Sequence, residues 1–280
     1  QTSNPDIYAA GDAVEYPRTF GGTAMRIPLA GPANRAGRIA GEHAATGSAR
    51  PMGTVLGSAI VRVFACVAAS TGLSEKLALR LQRDALAVTV SAGSHAGYYP
   101  GAQRMILKLI FDPTSGKVLG AQAVGGEGVD KRIDVIATAM QFGATVFDLA
   151  SVDLCYAPPF GSAKDPIHMA AFVASNHLDA ASPVTAPKSD LEGFQIVDVR
   201  TPAEFAQMRL PGAIHIPVED LRDRLASLDP ARPTAVICQS GLRAHVGARI
   251  LKQHGFNDVV NITGGMLMQQ ADAFQAEGDD

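Results

Sequence analysis

With 280 residues, 47% of them apolar and 18% charged, the chain has an ordinary globular composition with room for two domains, which excludes a disordered chain. A net charge of −3 without a basic cluster excludes the electrostatic footprint of a nucleic-acid binder, and the longest apolar run, about 55–69, is interrupted by Ser58 and Arg62 and falls short of the ~20 residues of a membrane span. Three widely spaced cysteines, Cys66, Cys155 and Cys238, with no CxxC pair and no signal peptide, predict reduced thiols in a cytoplasmic protein.

The chain opens on Gln1 rather than Met and runs almost at once into "NPDIYAAGDA", which reads as the interior of a longer protein. Ile7 to Ala10 predict a short buried strand that turns at Gly11-Asp12. In "RIPLAGPANRAGRIAGEHAATG", Pro28 and Pro32 mark a helix start and Gly47 its end, with small residues implying close packing. From about 53 to 177 the texture is of strands, "SAIVRVFACVAAST", "ALAVTVSAG", "RMILKLIFD" and "KVLGAQAVG", the last two joined by the turn Pro113-Thr114-Ser115-Gly116. Helices over about 130–141 and 166–175 complete an α+β module built on an antiparallel sheet.

"DAASPVTAPKSD", 179–190, has linker composition. A new domain follows, with strand "FQIVDVR" and a helix forced by the capping box Thr201-Pro202-Ala203-Glu204. Strand "AIHIP", helix "VEDLRDRLASL", strand "TAVIC", helix 242–254 stopped by Gly255, strand "DVVNI" and a Gly264-Gly265 turn continue the alternation of a small, mainly parallel α/β domain.

Cys238 ends the apolar run "TAVIC", and ligands of such sheets bind at the carboxyl ends of the strands. Residues 239–242 would curl around the sulfur with N–H groups inward, and the next helix adds its positive dipole end. A helix N-terminus and nearby cations favour a thiolate over the free thiol, whose pKa is ~8.5, so no histidine base is required. Gly241 permits positive φ, and Arg243 can hold an anion or the loop itself. A buried cysteine serving only packing is the bland alternative, and a Cys-polar-polar-Gly-x-Arg turn between strand and helix is difficult to explain by packing alone.

"CQSGLRA", with "VDVRTPAEF" before it and "NITGGM" after it, resembles the rhodanese family of sulfurtransferases over about residues 188–275. The resemblance implies that Cys238 carries sulfane sulfur as a persulfide, with Arg243 in its active loop. The six residues from Cys238 to Arg243 favour sulfur transfer over the phosphatases and arsenate reductases of this fold, whose loop is one residue longer. Asp198 and Arg200 match the family's D-x-R and are expected to stabilise the fold. Two departures, Met208-Arg209-Leu210 in place of Gly-His-Ile and the absence of a Trp after Gly264-Gly265, touch the packing near the site.

"IYAAGDA" resembles the second flavin-contact motif of the FAD-dependent pyridine nucleotide-disulfide reductases, which implies that Gly11 and Asp12 meet the flavin's ribityl chain. The helix that follows resembles the one facing the flavin's pyrimidine edge, with Leu29 and Ala30 at that edge and Asn34 and Arg35 near it. Residues 53–178 resemble the dimerisation domain of that superfamily, and "AGYYPGA", "GAQAVGGEGVDKRIDVIA" and "YAPPFGSAKDP" resemble its coenzyme A disulfide reductases and the similar NADH oxidases and polysulfide reductases. In that branch tyrosines of one subunit reach the redox cysteine of the other, which implies Tyr98 and Tyr156, with Tyr99 adjacent. A phenol there could hydrogen-bond or protonate a leaving thiol. Cys66 and Cys155 lie in apolar or packed contexts and are expected to be structural.

No GxGxxG occurs in the sequence, so the pyrophosphate sites for FAD and nicotinamide are not among these residues. The expectation is the end of an FAD-binding Rossmann-like domain (1–50), an α+β reductase dimerisation domain (51–178), a linker (179–190) and an α/β rhodanese domain (191–280). The resemblance implies the C-terminal part of a homodimeric FAD-dependent NAD(P)H:CoA-disulfide, persulfide or polysulfide reductase, acting on small-molecule disulfides or persulfides, with an incomplete FAD site and no metal. The alternatives are a sulfurtransferase on a reductase-derived dimerisation platform, an NADH oxidase-type flavoenzyme fused to rhodanese, and a non-catalytic scaffold.

Overall fold

In the computed structural model, which describes residues 1–17 and 24–270, two five-stranded sheets, one antiparallel and one parallel, divide the chain where the strand pattern changes. The last ten residues of the expected rhodanese domain, 271–280, lie outside the described residues.

The strand expected over 7–10 does not form, and Ile7 is 52% exposed. Among the described residues no strand lies beside it, and Ile7 instead bonds locally, its N–H donating to the Asn4 carbonyl at 3.1 Å and its carbonyl accepting from the Thr2 N–H at 2.9 Å. A 3-10 turn at Gly11–Ala13 follows, then β1 (Glu15–Tyr16) and β2 (Met25–Arg26), an antiparallel pair. The Ala- and Gly-rich helix is α1 (Ala30–Thr46); Gly47 caps it in the left-handed conformation, its N–H donating to the His43 carbonyl at 2.8 Å.

The antiparallel sheet contains β3 (Ala59–Val63), β4 (Cys66–Gly72), β5 (Leu86–Gly93), β6 (Arg104–Phe111) and β7 (Val118–Gly125), in the order β3-β4-β7-β6-β5. "SAIVRVFACVAAST" is a hairpin, folded back at Phe64, whose φ is 52°. A short helix α2 (Glu75–Arg80), capped by Ser74, lies between β4 and β5. The helices α3 (Val129–Gln141), α4 (Val146–Ser151) and α5 (Pro166–Leu178) follow β7. Leu107, Leu109, Leu119, Ile136, Leu149 and Ala170 are sealed in their common core.

In the second domain β8 (Val184–Thr185), β9 (Gln195–Asp198), β10 (Ile214–His215), β11 (Thr234–Ile237) and β12 (Val259–Ile262) form a parallel sheet ordered β10-β9-β11-β12-β8. Helices α6 (Pro202–Gln207), α7 (Leu242–Gln253) and α8 (Gly265–Gln270) alternate with it. The helix expected over 218–228 is instead a run of turns ending in a 3-10 turn at Leu225–Ser227. Val218 donates to Val199 at 3.2 Å, and the next bonds, Asp220 to Pro217 and Asp223 to Asp220, close three-residue steps, so the apolar Leu221 and Leu228 reach the core without an α-helical turn.

Residues 179–190 do not run free. Asn261 donates its N–H to the Pro183 carbonyl at 2.8 Å, β8 extends the parallel sheet, and Arg249 and Lys252 of α7 hold the carbonyls of Ala181 and Ala180 at 2.8 and 2.6 Å. The two domains are joined by a reciprocal bond: the Thr89 N–H donates to Thr263 Oγ1 at 2.8 Å, and that hydroxyl donates to the Thr89 carbonyl at 2.8 Å. Both threonines are buried. Thr263→Val keeps the shape and orphans the Thr89 amide, so a loss of ~1–3 kcal/mol is expected in denaturant unfolding. Thr263→Ser, which keeps the hydroxyl, should cost less than half of that.

Candidate functional site

Cys238 follows the last residue of β11, opposite the β9 terminus where Ile237 pairs with Asp198. Its side chain is buried, and the Gly241 N–H donates to Sγ at 3.1 Å. Gly241 adopts φ 111°, a conformation that favours glycine, and in doing so becomes the N-cap of α7 while turning its amide towards the sulfur. The Gly264-Gly265 turn closes the other side. A Cβ on Gly265 would stand 2.3 Å from the Cys238 carbonyl oxygen, and without it Met266 and Leu267 donate to the carbonyls of Cys238 and Gln239 at 2.9 and 3.1 Å. The loop is therefore fixed from α8 as well as from α7.

Arg243 is half-buried, and its guanidinium is gripped bidentately by Glu204, at 2.7 and 2.6 Å. Glu204 is also the N3 residue of the α6 capping box, taking hydrogen bonds from the Thr201 N–H and hydroxyl. The capping box was legible in the sequence; its second use, as counter-ion to the loop arginine, was not. Arg243 is raised above its ordinary value chiefly by Glu204, with burial opposing and smaller attractions from Cys238 and Glu219. Its fork thus holds α6 to α7 beside the sulfur.

The Arg243 guanidinium, against the opposing cost of burial and with help from Thr201, holds the Glu204 carboxyl at about 2, below its ordinary 4.5. Because the folded value is the lower one, this stabilisation is fully present above pH 4.5 and is lost as pH falls through about 2. Glu204→Gln is expected to flatten the acid limb of the unfolding midpoint over that window. An acid limb as steep as that of wild type would contradict the pairing.

Asp198 and Arg200 form a buried ion pair with Nη2 to Oδ2 at 2.7 Å, and Arg200 also reaches the Met208 carbonyl at 2.5 Å. The pair holds the ends of β9 and α6 together and is structural, as the sequence led one to expect. His215 donates from Nε2 to the Arg200 carbonyl, 2.8 Å away, and stacks on Phe205 at 4.3 Å, while Arg209 covers the Phe205 ring at 5.4 Å. Arg209 thus spends its side chain on packing in the segment that departs from the family pattern.

In the antiparallel domain Tyr98 and Tyr156 are both exposed and lie close to one another although 58 positions of chain separate them; the neighbouring Tyr156 hydroxyl is the main cause holding the Tyr98 phenol above its ordinary value. Their two loops are tied by Ala96 donating to the Gly161 carbonyl at 2.9 Å. Beneath them Arg132 binds Asp165 at 2.7 and 3.3 Å and the Ser94 carbonyl at 2.8 Å, all buried. Tyr99 is turned aside, its ring edge-on to His95. Tyr156→Phe is expected to return the Tyr98 phenol towards its ordinary value, read by ultraviolet titration of the remaining phenols.

Gly11, Asp12, Leu29 and Ala30 gather at one end of α1. Gly11 has φ 74° and packs against Ala33, so that a Cβ there would stand 3.6 Å from the Ala33 Cβ; the Asp12 carboxylate is exposed beside it. Leu29 is the N-cap and supplies no side-chain cap, which leaves first-turn N–H groups of α1 to an outside acceptor. A carboxylate for sugar hydroxyls beside open helix N–H groups fits the flavin contacts expected of these residues. Asn34 instead donates to its own helix, at the Ala30 carbonyl.

Cys66 and Cys155, expected to be packed, are exposed. Cys66 closes the hairpin end opposite Val63, and Cys155 stands in the irregular segment between α4 and α5, so neither reaches a core. Among the described residues no His, Cys, Asp and Glu cluster could hold a metal, and no helix is long and apolar enough to cross a membrane. No hydrogen bond or ion pair among the described residues links the cysteine loop, the tyrosine pair and the α1 terminus to one another.

Residues 58–166 match the pyridine nucleotide-disulphide oxidoreductase dimerisation domain, and residues 183–269 match the rhodanese-like domain. The coenzyme A disulfide reductase of Staphylococcus epidermidis is 37% identical over 174 residues, 62% of this chain and 39% of that protein. Among solved structures, reduced Bacillus anthracis CoADR-RHD superposes with a TM-score of 0.92 at 42% identity, covering 98% of this chain and 50% of the other. A NAD-dependent persulfide reductase from A. fulgidus gives 0.85 at 39% identity, covering 95% and 48%. This chain spans half or less of the length of each. It joins a reductase dimerisation domain to a rhodanese-like domain.

Proposed function

We propose that this union of a reductase dimerisation domain with a rhodanese-like domain serves an FAD-dependent NAD(P)H:CoA-disulfide, persulfide or polysulfide reductase, in which Cys238 carries sulfane sulfur to or from the reducing centre. The observation that carries the reading is the Cys238 loop, with its Gly241 amide on Sγ, in the same chain as the tyrosine-bearing reductase domain.

The Cys238 thiolate attacks the sulfane sulfur of a donor such as thiosulfate; the donor's S–S bond breaks and sulfite departs with the electron pair. Cys238 then bears a persulfide. An acceptor thiolate attacks the outer sulfur, and the Cys238 thiolate leaves, so that atoms and electrons balance without a net oxidant. The Gly241 amide and the α7 terminus favour negative charge on sulfur at each stage. Arg243, paired with Glu204, positions the loop by holding α6 to α7 beside the sulfur.

In a homodimer, Tyr98 and Tyr156 would reach the redox thiol of the partner subunit. A Tyr98 phenol held above its ordinary value keeps its proton at neutral pH and can donate it to a departing thiolate. Gly11 and Asp12 would hold the ribityl chain, and Leu29 and Ala30 at the start of α1 would face the pyrimidine edge. FAD, when bound, would supply electron transfer between NAD(P)H and the thiol.

The test loads the protein with sulfur from thiosulfate and then adds coenzyme A. The expected result is loss of the Cys238-bound sulfur, by mass, with formation of CoA persulfide. Sulfur that passes to cyanide but not to coenzyme A would overturn the CoA reading and leave a sulfurtransferase on a dimerisation platform.

A further inference from the structure

A cavity of about 290 Å³ lies between the two domains, on the far side of the Gly241 turn from β9 and lined by both domains. Thr89 and Phe172 form its wall on the dimerisation side, Ser182 enters from the connecting segment, and Gly241, His245 and Asn261 close it on the rhodanese side. Cys238 itself does not line it.

Two of these lining residues carry buried polar atoms with no hydrogen-bond partner: Ser182 Oγ and Asn261 Oδ1. Ser182 is 1% exposed and Asn261 3%. An unsatisfied buried polar atom costs ~1–3 kcal/mol and is uncommon in folded proteins. The two belong to one neighbourhood, since Asn261 donates its N–H to Pro183 and pairs with Val184 across the β12–β8 ladder. The Asn261 amide is oriented by its own Nδ2, which donates to the Gly241 carbonyl at 3.2 Å and leaves Oδ1 as an acceptor.

An acceptor beside a hydroxyl is complemented by a group presenting both an N–H donor and a carbonyl acceptor, as an amide does. The remaining wall, from Val90, Met169, Val173, Val184 and Leu242, is apolar, and the exposed ammonium of Lys164 stands at the lining together with the N-terminal turn of α7. The cation and the helix terminus both favour a negative group. The His245 imidazole is held below its ordinary value by burial and then by Arg249, so it adds no positive charge at neutral pH.

We propose that this interdomain cavity binds a small amphipathic amide carrying an anionic group, whose amide satisfies Asn261 Oδ1 and Ser182 Oγ and whose apolar portion lies against Phe172 and Leu242. Gly241 connects the site to the sulfur: its carbonyl is held by Asn261 and its N–H by Cys238 Sγ, so an occupant of the cavity bears on the loop. The inference is independent of the identity of the sulfur donor or acceptor.

The test uses N-acetyl-L-leucine as probe, with 4-methylvalerate as the counterpart lacking the amide and N-acetyl-L-leucinamide as the counterpart lacking the charge. Isothermal titration should show saturable binding of the first, weakened ~5–10-fold for either counterpart, the worth of one hydrogen bond or one ion contact. Ser182→Ala is expected to weaken probe binding by a similar factor while raising the thermal midpoint of the free protein, because the orphan hydroxyl is gone. Lys164→Gln should remove the preference for the charged probe. Binding should persist in Cys238→Ser protein, so failure here and failure of the sulfur-transfer reading are separate results. No saturable binding at millimolar probe, or binding that Ser182→Ala leaves unchanged, would overturn the proposal.

Discussion

Cys238→Ser is expected to abolish sulfur loading, lowering the rate of thiosulfate:cyanide sulfur transfer at least ~1,000-fold, as loss of a covalent nucleophile does elsewhere. A serine hydroxyl is not ionised at neutral pH and forms no stable sulfur adduct. The fold should survive, because serine is smaller than cysteine, and its oxygen can still accept the Gly241 N–H that now reaches Sγ at 3.1 Å. Mass spectrometry after thiosulfate treatment provides the reading: one added sulfur on wild type and none on the variant. An equally labelled variant would move the chemistry to exposed Cys66 or Cys155 and sink the assignment.

The largest stability effect is expected at Arg132. Its guanidinium serves both oxygens of Asp165 and the carbonyls of Ser94 and Gly128. Asp165 in turn caps α5 by accepting from the Ile167 N–H at 3.1 Å. Arg132→Met leaves a buried carboxylate without its counter-ion, at a cost of ~3–5 kcal/mol in denaturant unfolding. Arg132→Met combined with Asp165→Leu should recover part of that loss, since an apolar pair carries no desolvation penalty. The same single variant should loosen the loops bearing Tyr98 and Tyr156, so the Tyr98 phenol should relax towards its ordinary value. A single variant as stable as wild type would remove the pair from any supporting role.

Much of this was legible locally. The strand texture of 53–125 and the strand-helix alternation after 194 report burial periodicity, which is a property of neighbouring residues. "CQSGLRA" specified a strand end, a positive-φ glycine and a helix start, and each formed. The Thr201-to-Glu204 capping box formed as read. The expectation over 7–10 failed because a strand depends on a partner, which no local pattern supplies. That over 218–228 failed because Leu221 and Leu228 reach the core through turns whose hydrogen bonds close at three residues, a choice made by packing.

The sequence by itself determined the two fold patterns, the cysteine at a strand's carboxyl end and the residues that resemble flavin and thiol contacts, since these rest on short-range periodicity and turn chemistry. Only the tertiary structure decided which side chains meet across long separations: Glu204 on Arg243, Arg132 on Asp165, Thr263 on Thr89, and Ser182 near Asn261, with Ser182 Oγ and Asn261 Oδ1 left without partners. The physical reason is that hydrogen bonding and charge pairing act over a few ångströms in space, and the chain distances they bridge are set by how sheets and helices pack.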